Sequence, residues 1–394
     1  MIDEKRIKEN LELFSFPRLS GTDGEKKAFN LALERVKSLN LTPNIQTFTF
    51  STYFARYYPK IVISIGFFLL LLFYLNITTI LFPILYLISL IFLAIHFILA
   101  KRPQNIIIGK KLKSQNLFIT LSSKPSNKNS NNGKCEISER NFLFFCHLDS
   151  KSQKLTILTR IRAARSWVFS SISLLIITIL KNYVLIQFSL LFFIIGAITL
   201  AINVLAALLI ILNTTGNESK GAIDNASGIA CVIELLNYYL NTEFRLNNFN
   251  LYFVFSGAEE SGTMGIRYFY QNIKELDRNK TIIFNFDAIG KNVYFFPGKP
   301  IKKNVQILLQ KFLNNSKKLN IKIISKRFYI GSRSDGYFLK KRGFQGFGIG
   351  DMESYKFIHS INDTIDKIDP SILKDLCEAI ITILNDYDTS FNIS

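Results

Sequence analysis

The 40 residues from Ile61 to Ala100 contain no Asp, Glu, Lys or Arg, about twice the ~20 apolar residues a helix needs to cross a bilayer. That run predicts a helical hairpin with LNITTI, Leu75 to Ile80, at its tip. A second run, Ser166 to Asn213, is broken only by Lys181-Asn182 and predicts another hairpin, its first arm (Ser166 to Leu180) short for a full crossing. Core helices of water-soluble proteins are amphipathic somewhere along their length, and IGFFLLLLFYL and INVLAALLIIL are not. Both runs are internal and the chain is charged from residue 3, so neither reads as a removable signal peptide. The expectation is a multi-pass integral membrane protein with about four spans in two hairpins.

Two hairpins return the chain to the side it left. Of 48 Lys and Arg, only Lys181 then lies apart from the rest, and Arg56, Lys60, Lys101, Arg102, Arg162 and Arg165 flank the spans. Positive charge accumulates on the cytoplasmic side, which predicts that the non-membrane part is cytoplasmic. Cys135, Cys146, Cys231 and Cys377 form no CxxC pair, so neither a disulfide framework nor a thiolate zinc site is indicated. The net charge of +19 includes GKKLK (Gly109 to Lys113) and TRIRAAR (Thr159 to Arg165) beside the apolar runs, a placement that suits the anionic surface of a lipid bilayer. Nucleic acid is not an expected partner, because no concentrated basic face interleaved with stacking aromatics is present.

Outside the hairpins the pattern alternates between strand and helix. EKRIKENLELF and EKKAFNLALERVKSLN carry helical spacing, separated by the turn-forming SFPRLSGTDG. NIQTFTF, NIIIGKKL, NLFITLSS and NFLFFCHLD read as strands, the last two separated by the polar segment KPSNKNSNNGKCEISER, which reads as a mobile surface loop. GIACVIELLNYYL and NVQILLQKFLNNSKK read as helices, and NLYFVF and TIIFNFDAIG as strands. This alternation predicts an α/β three-layer sandwich around a mostly parallel mixed sheet. Residues 1–56, 103–162 and 214–394 make up that domain, with 57–102 and 163–213 as inserted hairpins.

The chemistry gathers where strands end. FVFSGAEESG places Glu259 and Glu260 side by side directly after an apolar strand, FFCHLDS ends a strand at His147 with Asp149 two residues on, and FNFDAIG ends one at Asp287. Asp224 opens a helix in GAIDNASGIA, and His359 precedes Asp363 and Asp366 in FIHSINDTID. The chain has three His, and His96 lies inside the first apolar run. The C-terminal ends of parallel strands share one edge, where ligand sites form. Two imidazoles and several carboxylates brought together there suit zinc, and more than four ligands suggests two ions sharing a carboxylate. Of two adjacent glutamates beside divalent cations, one can act as ligand while the other carries a proton.

These motifs, in this order, resemble the di-zinc exopeptidases that include bacterial leucyl aminopeptidases and the glutamate carboxypeptidase type; FPRLSGTDGEKKA and SDGYFLKKRGFQGFGIG look similar to that family's terminal segments. The resemblance implies two Zn²⁺ per chain, one held by His147 and Asp287, the other by Glu260 and His359, with Asp224 bridging both. It implies Glu259 as general acid/base and Asp149 as the residue that orients His147. The implied reaction is attack of a water, deprotonated by Glu259, on a zinc-polarised scissile carbonyl. The implied substrate is a peptide or protein N-terminus, with carboxypeptidase, dipeptidase, glutaminyl cyclase and a non-catalytic receptor-like homologue as the alternatives. Two departures stand out. His147 and Asp224 lie 77 residues apart because the second hairpin intervenes, and Ser334-Asp335-Gly336 has Gly where the family commonly shows His.

Overall fold

All seven residues of Asn141–His147 (NFLFFCH, β3) are buried, which requires cover on both faces and a neighbour on both edges. A computed structural model, describing residues 1–76, 81–124, 139–297, 301–315, 323–325 and 334–391, supplies them. The other strands of its eight-stranded sheet are β1 (Asn44–Ser51), β2 (Lys111–Leu121), β4 (Asn250–Ser256), β5 (Thr281–Phe286), β6 (Val293–Pro297), β7 (Ile323–Ser325) and β8 (Gln345–Gly350). They lie in the order β1-β2-β4-β3-β5-β8-β6-β7. The central four, β4-β3-β5-β8, run parallel, while β2 and β6 run antiparallel to β4 and β8.

One face of this sheet presents Leu143, Phe145, Val254 and Ile283 to the helices Met264–Ile273 and Asp335–Lys341, which contribute Ile266, Phe269, Ile273, Phe338 and Leu339. The other presents Phe142, Phe144 and Phe284, with Phe142 stacked on Phe249 at 4.2 Å and tilted against Tyr387 of the helix Pro370–Thr389. Each fully buried Phe contributes roughly 1.5–3 kcal/mol relative to exposure. The result is the expected three-layer sandwich with a mixed sheet.

Lys340, on Asp335–Lys341, donates from Nζ to the Phe296 carbonyl at 2.6 Å, and burial lowers its ammonium to about 7. A lysine with a depressed folded-state value binds fewer protons folded than unfolded between about pH 7 and its ordinary value, so its contribution to stability rises with pH across that window. Lys340→Met removes that rise. Thermal unfolding at pH 6 and pH 9 then shows a smaller difference in the variant than in the parent.

Two strands occupy the region where three were expected. NIIIGKKL is not a separate strand: Ile107 and Ile108 are exposed, Gly109 turns with φ +90°, and pairing starts only at Lys111. The chain forms two compact units, one of residues 1–49, 112–152 and 216–394 and another of 50–111 and 153–215. Of the polar segment expected as a loop, 124–140, residues 125–138 lie outside the described residues, and of the expected first hairpin tip, Leu75 to Ile80, so do residues 77–80.

The second unit is helical. Three of its helices, Pro83–Lys101, Ile157–Val184 and Ile186–Leu212, are long and apolar enough to cross a membrane, while Tyr58–Tyr74 is a shorter apolar helix. The short arm is thus in the first hairpin. In the second, the basic segment through Arg165 is itself helical, started by Thr156, whose hydroxyl accepts from the Thr159 N–H. Lys181 lies in the turn between the two arms of this hairpin, as expected. It is buried in a wide turn, Leu180–Val184, and donates to the Tyr74 carbonyl at 2.6 Å, meeting the end of Tyr58–Tyr74 where a helix terminus favours a cation. His96 is likewise buried, with Nε2 2.6 Å from the Tyr53 hydroxyl.

Candidate metal centre

Because β3, β4, β5 and β8 are parallel, their C-terminal ends open on one edge. β3 delivers His147 as its last residue; β4 is followed by Gly257-Ala258 and then Glu259 and Glu260; β5 is followed at once by Asp287. His359 comes from the segment after β8, and Asp224 from the turn Ala222–Ala226 that opens the helix Ser227–Leu240. Ala258, Ala288 and His359 all take positive φ (51°, 61° and 59°), conformations that cost energy in non-glycine residues and cluster at functional sites.

The five expected ligands form two triads that share Asp224. His147, Asp224 and Asp287 offer atoms within 4.8 Å of one another, and so do Asp224, Glu260 and His359. The two oxygens of Asp224 face opposite ways: Oδ1 lies 3.0 Å from His147 Nε2, and Oδ2 lies 3.1 Å from His359 Nε2. Glu260 Oε1 is 2.9 Å from His359 Nε2, and Asp287 Oδ1 is 3.8 Å from His147 Nε2. Glu260 Oε1 is buried without a hydrogen bond of good geometry. Two nitrogens and three carboxylates, nearly dehydrated and with an orphaned oxygen between them, fit divalent zinc.

Electrostatics sort the carboxylates. Burial acts to raise Asp224, but the hydrogen bonds from His147 and His359 hold it far below the usual range. Burial also acts to raise Glu260, and His359 and Lys151 outweigh it. Glu259 goes the other way: burial pushes it well above the carboxylate range, opposed by His147 and reinforced by Glu260, Asp335 and Asp287. Burial lowers His147, yet hydrogen bonding to Asp149, Asp224 and Asp287 carries it well above the imidazole range.

Asp149 sits behind this arrangement, fully buried. Its backbone oxygen is 3.0 Å from His147 Nδ1, and its carboxylate accepts from the Glu259 and Glu260 N–H groups, both at 3.0 Å. One residue thereby fixes the ring of one candidate ligand through its carbonyl and the loop carrying Glu259 and Glu260 through its carboxylate.

Several residues at this site were not singled out by their sequence context. Arg18, in a segment that read as turn chemistry and as similar to the family's N-terminal segment but with no role of its own, is fully buried and donates to the carbonyls of Leu148 (2.8 Å), Lys220 (2.9 Å), Gly221 (3.0 Å), Phe16 (3.0 Å) and Phe14. It ties the His147 loop to the Asp224 turn, and burial lowers it only to about 10, so it stays charged at neutral pH. Arg18→Met leaves these carbonyls unmet at a cost of ~1–3 kcal/mol for each that water cannot reach. Loss of about 2–5 kcal/mol in unfolding free energy of the metal-free protein is expected, the scale of a few such unmet carbonyls.

Glu25 accepts from the Ala258 N–H at 2.7 Å and from the Ser114 hydroxyl at 2.7 Å, supporting the loop before Glu259. Asn225 donates to the Phe286 carbonyl at 2.8 Å, joining the Asp224 turn to the strand that ends at Asp287. Gly228 is needed beside it, since a Cβ there would lie 2.4 Å from Asn225 Oδ1. Asp363 accepts from the Ile223 N–H at 2.6 Å. Glu25, Asn225, Gly228 and Asp363 all lie inside the quoted motifs, Asp363 after His359, but their place there gives none of them a role. Gly336, where a His was expected from the resemblance, abuts Asn285, and a Cβ there would come within 2.9 Å of the Asn285 Cβ.

Peptidase family M28 matches residues 207–384. No curated protein matches the sequence. Among solved structures, the chain is similar to an aminopeptidase from Aneurinibacillus sp. strain AM-1 (TM-score 0.57, 14% identity, 97% of this chain and 93% of that one). It is also similar to BSAP, a zinc aminopeptidase from Bacillus subtilis (TM-score 0.55, 13% identity, 98% and 95%), and to a glutaminyl cyclase from Fimbriiglobus ruber (TM-score 0.52, 13% identity, 98% and 95%). These likenesses agree with the fold read from the motifs, and the family match with its structural neighbours supports a hydrolase of the metallopeptidase class.

Proposed function

We propose that this metallopeptidase is a membrane-anchored, two-zinc exopeptidase that removes residues from the N-termini of peptides or proteins. The observation that carries the reading is Asp224, whose two oxygens each face a different histidine. A carboxylate placed that way suits two cations better than one.

His147 and Asp287 would hold one zinc, Glu260 and His359 the other, and Asp224 both. When bound, the ions supply Lewis acidity, which lowers the pKa of a water to ~7 and polarises the scissile carbonyl. Glu259, raised by burial, takes the water's proton and returns it to the leaving amine, a role that needs a carboxyl able to hold a proton near neutral pH. Asp149 keeps His147 and the Glu259-Glu260 loop in register. The apolar helices anchor the chain as a multi-pass protein in the lipid bilayer, with the sheet-bearing part on the cytoplasmic side, as the distribution of Lys and Arg favours.

Glutaminyl cyclase is the second reading, favoured by the likeness to the Fimbriiglobus ruber enzyme. His147 beside Asp224 and Asp287 argues against it, because a single-metal site has no use for the second triad. The test is metal content of detergent-purified protein together with turnover of aminoacyl-nitroanilides, C-terminally blocked peptides and N-terminal glutaminyl peptides. About two zinc per chain with nitroanilide release supports the aminopeptidase. Two zinc with activity on none of the amino-terminal substrates moves the assignment to a carboxypeptidase or dipeptidase. One zinc with ring closure and ammonia release establishes the cyclase, and no bound metal overturns every metalloenzyme reading.

A further inference from the structure

We propose that Lys151 makes the two metal positions unequal, so that the position formed by His359, Glu260 and Asp224 fills last and empties first. This rests on the two-metal reading and concerns a residue outside both ligand triads.

Lys151 follows β3 by four residues and is held from below. Arg18 and Ser150 are doubly linked, Arg18 N–H donating to Ser150 Oγ at 3.1 Å and Ser150 N–H to the Arg18 carbonyl at 3.0 Å. From that fixed base the Lys151 ammonium reaches Glu260 Oε2 at 2.5 Å, with side chains 15% and 4% exposed. The two oxygens of Glu260 are thereby divided. Oε1 faces His359 Nε2 at 2.9 Å and belongs to the triad; Oε2 belongs to the lysine.

Two effects follow for a divalent cation at that position. Glu260 is left one oxygen to give, and part of its charge is already neutralised. The cation also enters next to a fixed positive charge in a site with little water to screen it, where repulsion between charges is strong. Among the described residues neither His147 nor Asp287 has an ion pair with a Lys or Arg. Among the described residues no Lys or Arg nitrogen lies within 4.0 Å of Asp287, which has His147 Nε2 3.8 Å from Oδ1 and Asn285 Nδ2 3.4 Å from Oδ2. His147 and Asp287 therefore keep their donor strength in full. The chemical consequence is a centre that is half-loaded at low free zinc and complete only above the affinity of the weaker position, which makes turnover responsive to zinc supply.

The experiment is calorimetric titration of metal-stripped, detergent-purified full-length protein with Zn²⁺, repeated with Co²⁺ so that visible absorption reports the ligand field of each step. The parent binds two equivalents in two resolved steps. In Lys151→Met the weaker step tightens by roughly 10–100-fold, the range in which residues behind the ligands tune metal affinity, while the tighter step is unchanged; Lys151→Arg keeps the steps apart. A purely structural lysine would move both steps or neither, and melting temperatures of the metal-free variants, with Lys151→Gln as a second neutral replacement, separate lost folding from altered affinity. Two steps that coincide in the parent, or a weaker step that is unmoved or weakened in both neutral variants, overturns the inference while leaving the metallopeptidase intact. Absence of any binding in all forms overturns both.

Discussion

Glu259→Gln lowers kcat by roughly 10²–10⁴-fold, the contribution of a positioned general base, and leaves the metal content of the protein unchanged. The amide is the same size as the carboxyl, so it fits where the buried Glu259, itself 7% exposed, sat, and the N–H of residue 259 still donates to Asp149 Oδ1. Only the capacity to accept and return a proton is lost. Glu259 lies in neither triad, which is why metal and activity separate in this variant. KM for a short peptide changes little, because the contact removed is with the reacting water. Steady-state kinetics and metal analysis on one preparation check the result; retained turnover or loss of zinc would remove Glu259 from the proposed role.

Asp224→Asn has the opposite signature: metal and activity fall together. One amide oxygen still meets one histidine, but an NH₂ replaces the oxygen that faces the other and cannot bind a cation. At least one equivalent is lost. Several kcal/mol of transition-state stabilisation goes with it, on the order of 10³-fold in rate. Elemental analysis gives one zinc or fewer, and added zinc does not restore turnover. Two firmly bound zinc ions in this variant would argue against a bridging carboxylate.

The candidate ligands were legible because each motif combines an apolar strand, whose burial fixes its place in the sheet, with an abrupt polar end. FFCHLDS and FNFDAIG carry both signals in a few residues, and parallel pairing does the rest. Arg18 carried none. A single Arg after a proline in a turn looks like a surface residue, and its burial depends on carbonyls contributed from Phe14 to Gly221. Glu25 and Asp363 are of the same kind, since their partners, Ala258 and Ile223, are distant in sequence. Lys151 reads as one more charge in a +19 chain until the fold sets it against Glu260. The misplaced hairpin arm has a different origin. A sequence rule that stops a span at its last charge cannot see that an Arg-bearing turn continues the same helix, as Ile157–Ile179 does. The extra strand came from counting NIIIGKKL by β propensity alone, although three consecutive Ile have no strand neighbour there.

The order of strands has a consequence for how the protein is made. β4 lies between β2 and β3, yet it is synthesised after both and after the second apolar hairpin, since it begins at residue 250. Until then β2 and β3 have no partner in common, and the edge that carries His147 stays open. Asp224, Glu260, Asp287 and His359 all emerge later still than the second hairpin. The chain crosses between its two units four times, so neither hairpin can be delayed or misdirected without holding apart pieces of the same sheet. A nascent or stalled chain that ends before residue 359 therefore carries an incomplete set of candidate ligands, even when both apolar hairpins and the strand that ends at His147 are already made.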